Sequence, residues 1–307
     1  MANIYIHIPF CRSKCKYCSF VSYPALEIKK EYIDALIKEI KTNYKNELAD
    51  TLYFGGGTPS LLDSEEFTSI INLFKTDENT EITAELNPEN INLEYLKNLK
   101  NAGINRISFG AQTFDDEILK IIGRRHRAKD VLNSVEYAKS AGFKNISLDF
   151  IYGLPNQTIK MFESDLYKFI NLNIEHISLY GLKIDENCDF GKYPPKNLPD
   201  EDIQADMYLT AINILKKHNF KHYEISNFAK NNLFSKHNLN YWNNKNYYGF
   251  GAGAHGYENN TRYYNTPDLK KYILSQEHEY EKKLTIQEQL EEEIFLGFRK
   301  TDGINIE

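Results

Sequence analysis

Apolar and polar positions switch repeatedly between two periods along the chain. Ile4-Tyr5-Ile6-His7-Ile8 is an apolar, strand-like run, and a helix follows near Lys29 to Tyr44, where Ile33, Leu36, Ile37, Ile40 and Tyr44 recur at helical spacing. Thr51-Leu52-Tyr53-Phe54 predicts a second strand, stopped by Gly55-Gly56-Gly57. Asp63 with Glu66 three residues on predicts a capping box, ahead of a stripe of Phe67, Ile70, Ile71 and Phe74. The alternation continues with strands at Glu81–Leu86, Arg106–Phe109, Ile146–Ile151 and His176–Tyr180. Between them, helical stripes run through Leu93, Leu96 and Leu99, through Ile118, Leu119 and Ile122, through Val131, Leu132, Val135 and Ala138, and through Phe162, Leu166, Phe169 and Ile170. Past Pro199 a helix carries Ile203, Met207, Ile214 and Leu215; His218 to Tyr264 is rich in Asn, Tyr, His and Gly with weak periodicity; Ile286, Leu290 and Ile294 begin a last helix.

Six strand–helix units imply parallel pairing, because each crossover is long enough to hold a helix. A doubly wound sheet and a barrel both satisfy that pattern. The polar and glycine-rich residues Cys11, Gly56, Glu85, Gln112 and Asp149 gather just after strand C-termini, which is where (β/α) barrels keep their active face. The predicted class is therefore α/β, a partial (β/α)6 barrel over residues 1–200, an α+β extension over 201–284, and the start of a further helical domain over 285–307.

Bulk properties narrow the functional classes. The chain has 307 residues, 41% of them hydrophobic, enough for a sizeable core. Its net charge of −6 argues against a general nucleic-acid binder. The N-terminus runs straight into the first strand without the basic and long apolar regions of a secretory signal, and no apolar run approaches a membrane span. Four cysteines in a chain this long make no disulfide scaffold, so a reducing cytoplasm is the expected setting.

Three of those cysteines, Cys11, Cys15 and Cys18, fall within eight residues directly after the first strand. Thiolates at such spacing are a metal-ligand signature, since one tight loop can aim several sulfurs at one centre. No fourth cysteine lies nearby; Cys188 sits in a distant polar loop and reads as incidental. Three thiolates on a 4Fe–4S cubane leave one iron open to a ligand that is not protein. A Cys3His zinc site using His7, or a disulfide, are the other readings of the same residues.

The C-x3-C-x2-C spacing with Tyr17 before the last cysteine resembles the cluster loop of the radical S-adenosylmethionine (SAM) superfamily. The resemblance implies SAM chelated at the open iron and cleaved by an electron from the cluster, on a partial radical SAM barrel. Gly55-Gly56-Gly57-Thr58-Pro59, by itself either a tight turn or a close backbone approach to a ligand, then resembles that superfamily's glycine motif. Glu85, Gln112, Arg124 and Asp149 stand where charge is costly unless paired or used; Arg124 could clamp a carboxylate, and Glu85 or Asp149 could hold ribose hydroxyls or an ammonium. Tyr5-Ile6-His7-Ile8-Pro9-Phe10-Cys11, Gly110-Ala111-Gln112-Thr113-Phe114 and Asp149-Phe150-Ile151-Tyr152-Gly153-Leu154-Pro155 are similar to motifs of the coproporphyrinogen III oxidase-like branch. That likeness implies SAM contacts at Tyr5, Tyr17, Gly56, Gly57, Thr58, Glu85, Gln112, Arg124 and Asp149.

Two families divide that branch. The oxygen-independent coproporphyrinogen III dehydrogenases, which decarboxylate two propionates, carry an extra cysteine where this chain has Phe20, and a substantial N-terminal extension. The heme chaperone family carries an aromatic there and an H-N-x-x-Y-W motif, matched by His237-Asn238-Leu239-Asn240-Tyr241-Trp242. The resemblance is stronger to the chaperones. It implies heme bound through His237 with Tyr241 and Trp242, since imidazole is a standard iron ligand and aromatics stack on porphyrin, and delivery of that heme to acceptor hemoproteins. An electron donor is implied if the cluster is reduced. His255, in Gly253-Ala254-His255-Gly256, is a second candidate ligand that reads more simply as part of a turn. Chaperones of this type continue into a small C-terminal domain, which the resemblance implies is cut short at Glu307.

Overall fold

The computed structural model describes residues 1–89 and 91–304. The strand–helix alternation holds through the first six units. Strands β1 (Ala2–Ile8), β2 (Ala49–Gly56), β3 (Glu81–Leu86), β4 (Arg106–Gln112), β5 (Asn145–Tyr152) and β6 (His176–Gly181) are joined by helices α1 (Lys29–Asn43), α2 (Ser64–Ile71), α3 (Leu93–Asn101), the pair α4 (Asp116–Ile121) and α5 (Ala128–Ser140), and α6 (Ile159–Asn171). The capping box at α2 forms as expected: Glu66 N–H donates to Asp63 at 2.8 Å and Asp63 N–H to Glu66 at 2.9 Å.

The six strands pair in parallel and in chain order. A doubly wound sheet reverses its strand order at a switch point; this one does not, and right-handed crossovers in one direction place every connecting helix on one face. That decides between the two architectures in favour of the barrel.

The main sheet has nine strands, and three come from beyond residue 200. After α7 (Asp189–Lys192) and α8 (Glu201–Lys217), β7 (Lys221–Glu224) and β8 (Asn227–Ala229) extend the sheet past β6, β8 antiparallel to β6 and β7 antiparallel to β8. Helix α9 (Lys236–Trp242) then leads to β9 (Tyr248–Phe250), which pairs parallel with β1 at the other edge. A separate antiparallel sheet of β10 (His255–Glu258), β11 (Thr261–Asn265) and β12 (His278–Lys283), with α10 (Leu269–Leu274) inserted and α11 (Ile286–Gly297) after it, completes the described chain.

Side chains alternate across each strand. Ile4, Ile6 and Ile8, Leu52 and Phe54, Ile107 and Phe109, and Leu148 and Phe150 enter the apolar core with the helices. The opposite set is polar and faces inward: Asn3, Tyr5 and His7 on β1, Thr51 and Tyr53 on β2, Glu81 and Glu85 on β3, Ser108 on β4, Asp149 on β5.

Helix α9 closes the N-terminal end of this interior. Its first N–H groups, from Lys236 and His237, each donate to the Glu81 carboxylate at 3.2 Å, an acidic partner at the positive end of the helix. Asn240 donates to Asn3 Oδ1, and Asn3 Nδ2 donates to Asn246 O at 3.1 Å. The cysteine loop leaves β1 at the other end. Five residues of strand separate Thr51 from Gly56, roughly 16 Å at 3.3 Å per residue, so the two conspicuous motifs of the sequence lie at opposite ends of one barrel.

Candidate functional site

The mouth of the barrel is built from the segments that leave the C-terminal end of each strand. β1 delivers the cysteine loop, which is pinned where it passes the barrel wall: Cys11 N–H donates to Tyr23 O at 3.1 Å, Tyr23 N–H to Pro9 O at 2.7 Å, and Lys16 N–H to Ile122 O at 3.1 Å. Cys11, Cys15 and Cys18 are free thiols, each partly exposed. Burial pushes the Cys18 thiol up to about 11. Cys11 Sγ lies 3.4 Å from Thr58 Oγ1, and Arg124 Nη1 lies 3.5 Å from Cys15 Sγ. Tyr17 packs against Cys15 and Arg124, and burial raises its phenol. The sulfurs are not drawn around one point; among the described residues no three His, Cys, Asp or Glu side chains are gathered closely enough to hold a metal ion. The fit to a soft metal centre lies in donor chemistry and placement: three thiols on one loop, with the Arg124 guanidinium 3.5 Å from one of them. Cys188 is elsewhere, 2% exposed in an apolar cluster with Ile118, Leu119, Leu154 and Phe190.

β2 delivers the glycines. Gly56 has φ +104°, and a Cβ there would stand 2.5 Å from the His7 ring; a Cβ on Gly57 would stand 2.6 Å from Phe10 O. The glycines are therefore required by the cysteine strand itself, before any ligand arrives. His7 explains why. Its Nε2 donates to Val21 O at 2.8 Å, a carbonyl that can only accept, which leaves Nδ1 to accept from Tyr5 OH at 2.9 Å. Burial lowers His7 to about 4, so the ring is neutral and ties Tyr5 to the far end of the cysteine loop.

β3, β4 and β5 deliver the charged groups. Tyr53 OH donates to Glu85 at 2.7 Å and Ser108 Oγ to Asp149 at 2.9 Å. Burial raises Glu85 to about 7, with the nearby Asp149 charge adding to the rise against the Tyr53 bond; burial raises Asp149 as well, against bonds from Ser108 and Ser178. Two neighbouring carboxyls held above their ordinary range suit a cationic or polyhydroxyl ligand. Arg124 donates to Gly110 O at 2.8 Å and to Asn87 Oδ1. Gln112 holds φ +66°, the sole side-chain-bearing residue other than Asn with positive φ among those described, and the β4–β5 register slips there. This bulge folds the Gln112 amide back toward Gly110, where a Cβ would meet it at 2.9 Å. Tyr5, Tyr17, Gly56, Gly57, Thr58, Glu85, Gln112, Arg124 and Asp149 thus belong to one end of one barrel.

Sequence reasoning weighed His7 only as a zinc ligand and gave no role to Tyr53, Asn87 and Ser108, yet these four hold the groups above. The signal for three of them was present: each is an inward position two residues from a residue already singled out.

The expected heme residues His237, Tyr241 and Trp242 stand at the opposite end. The ring is 1% exposed. Its Nδ1 lies 2.7 Å from Thr51 Oγ1 and its Nε2 2.8 Å from Tyr241 OH. It stacks on Tyr53 at 4.9 Å between ring centroids, and burial lowers it to about 3. Both ring nitrogens are thus hydrogen-bonded within the fold. Tyr241 is engaged by His237, and Trp242 lies under the Arg299 guanidinium at 4.3 Å. The motif is a barrel floor.

A parallel partial barrel with a three-thiol loop at its mouth is the plan of a radical SAM protein, and the Radical SAM superfamily matches residues 5–170. Superfamily membership implies a 4Fe–4S cluster and SAM. The fold is similar to coproporphyrinogen III oxidase (HemN) from Escherichia coli, with a TM-score of 0.86 and 22% identity over 97% of this chain and 75% of that one. The chain is 42% identical to the heme chaperone HemW of Bacillus subtilis, over 99% of this chain and 85% of that protein. It is 41% identical to the heme chaperone HemW of Lactococcus lactis, over 99% of this chain and 83% of that protein. The chain belongs to the heme chaperone HemW family. No helix among the described residues is long and apolar enough to cross a membrane.

Proposed function

We propose that this protein is a heme chaperone that carries heme and passes it to acceptor hemoproteins. The observation that carries the reading is the likeness, across 99% of the chain, to proteins named as heme chaperones. Phe20, 66% exposed beside the loop, supports it, standing where the dehydrogenases have a cysteine. Cys11, Cys15 and Cys18 would hold the cluster, and Tyr5, Tyr17, Gly56, Gly57, Thr58, Glu85, Gln112, Arg124 and Asp149 would line the SAM site. When bound, the cluster supplies one-electron reducing power at the barrel mouth. Around it, Arg124 steadies the sulfur charge, Glu85 and Asp149 receive positive charge or hydroxyls, and His7 fixes both Tyr5 and the loop's far end.

The test is a pair of assays on anaerobically reconstituted protein with SAM and reductant. Loaded heme should move to an apo-hemoprotein, read as the acceptor's absorption spectrum, while coproporphyrinogen stays unconverted. Steady formation of protoporphyrinogen would transfer the protein to the dehydrogenases.

A further inference from the structure

The cations of this chain are unevenly spread. Residues 11–20, 120–127 and 189–197 hold nine lysines and arginines and one carboxylate, Asp189, although the whole chain carries a net charge of −6. The fold joins these three segments around the thiol loop. Lys16 N–H donates to Ile122 O at 3.1 Å and Phe190 N–H to Lys16 O at 2.8 Å, so the loop is held between the end of α4 and the start of α7. A Cβ on Gly123 would stand 3.3 Å from Lys16 Cγ. Beside the loop opens a cleft of about 460 Å³, walled by Lys16, Phe190, Tyr193 and Lys196, with Asp189 its one carboxylate.

Arg12, Lys14, Lys16, Lys192 and Lys196 are exposed and, among the described residues, enter no ion pair. Elsewhere Lys29, Lys45, Arg262 and Lys282 each meet a carboxylate, and at the edge of the collar Arg125 meets Glu89 at 3.1 Å. Like charges gathered without partners repel one another, and an anionic surface laid over them lowers that energy. Phe20 and Tyr193, both exposed, add two aromatic side chains to the collar, the kind of residue that anchors protein interfaces.

We propose that this collar is the docking surface for an acidic one-electron carrier protein, which delivers its electron at the thiol loop. The inference rests on the cluster reading and is independent of the heme cargo. One electron leaves the carrier, which is oxidised, and enters the cluster, which is reduced; no bond forms or breaks and no proton moves. Cys11, Cys15 and Cys18 are each partly exposed, so a carrier seated on the collar meets their loop directly. Thiolates and an acidic carrier are both negative, and close approach needs cations between them. Lys14 and Lys16 alternate with the cysteines and supply that charge. Outside the collar the chain is more negative than it is as a whole, so it turns the same carrier away and orients the encounter. That distribution also favours a compact acidic protein over a nucleic acid, which needs a wider basic track.

Plant-type ferredoxin, an acidic one-electron carrier, is the probe. Oxidised ferredoxin titrated calorimetrically into the reconstituted full chain at low salt should bind. Lys14→Glu with Lys196→Glu should weaken that binding by about tenfold or more, and salt at about 1 M should weaken it in wild type. Lys14→Arg with Lys196→Arg should bind as wild type does. In stopped flow, reduced ferredoxin should bleach the chromophore of the charge-reversed variant about tenfold more slowly, while the methyl viologen radical cation reduces it no more slowly than wild type. Ferredoxin that neither binds nor reduces wild type, or that treats wild type and the charge-reversed variant alike, would overturn the docking surface and leave the cluster standing. Random-sequence DNA that displaces ferredoxin from the collar at equal concentration would assign the surface to nucleic acid and overturn it too. A reconstituted chain without an iron–sulfur chromophore would overturn both the surface's role and the cluster.

Discussion

Glu85 makes the barrel mouth pay for its charge before a ligand comes, and the cost can be measured. Its carboxyl stands at about 7 against an ordinary 4.5. At about 1.4 kcal/mol per tenfold change in proton affinity, that gap is about 3 kcal/mol, an upper figure because part of the carboxylate still meets solvent. The sign comes from proton binding. Below about pH 4.5 the group is neutral in both folded and unfolded chains and costs nothing. Between 4.5 and about 7 the folded chain keeps a proton that the unfolded chain has lost, so stability falls as pH rises; above 7 the full penalty is present. Glu85→Gln keeps an acceptor for Tyr53 OH and removes the charge. Urea unfolding of the reduced apoprotein at pH 5, 6.5 and 8 should therefore show the variant gaining on wild type by up to about 3 kcal/mol at pH 8 and by almost nothing near pH 4.5. Parallel stability curves would refute the burial argument.

The same group should register SAM. A cation at the mouth favours the carboxylate, so SAM binding near pH 6 should drive a fraction of a proton into the buffer. Calorimetry in buffers of different ionisation enthalpy reads that fraction directly. Wild type should release it and Glu85→Gln should not; equal release by both would place SAM's positive charge somewhere other than against Glu85. Ala at Cys11, Cys15 or Cys18 should abolish the reconstituted iron–sulfur chromophore, while Cys188→Ala, inside the apolar cluster, should leave it; one zinc and no iron in the purified protein would remove the cluster. Gly56→Ala should lose cluster and SAM together, because its φ of +104° and the 2.5 Å approach to His7 break the anchor of the loop; loss of SAM binding alone, with the chromophore intact, would show that the glycine serves only the ligand.

The barrel was legible in the chain because its signals are local. The six strands and their helices announce themselves within windows of ten or so residues, and the cysteines and glycines fall at strand ends. The choice of barrel over doubly wound sheet was not local: it depends on strand order, which periodicity does not encode. The short strands Lys221–Glu224, Asn227–Ala229 and Tyr248–Phe250 were invisible for a different reason. At three or four residues they carry no measurable period, and they exist because the edges of β6, β1 and then β8 offer unpaired backbone. The bulge at Gln112 belongs with them, a backbone choice that the Arg124 and Gly110 surroundings impose.

The two histidines show where local reading fails for chemistry. His237 sits in a motif of Asn, Tyr and Trp, and His255 in a Gly-Ala-His-Gly run; from sequence the first is the natural iron ligand and the second a turn. What separates them is the set of groups that answers each ring. His237 is answered by Thr51, 186 positions earlier, and by Tyr241 one helical turn on, and its helix is answered by Glu81 and Asn3. Those partners make a floor, and a floor that let go of its histidine would leave the Tyr241 hydroxyl without that partner in the interior, at about 1–3 kcal/mol, while Thr51 keeps its bond to Asn3. His255 is under no comparable constraint, since its ring is held only by stacking on Tyr264.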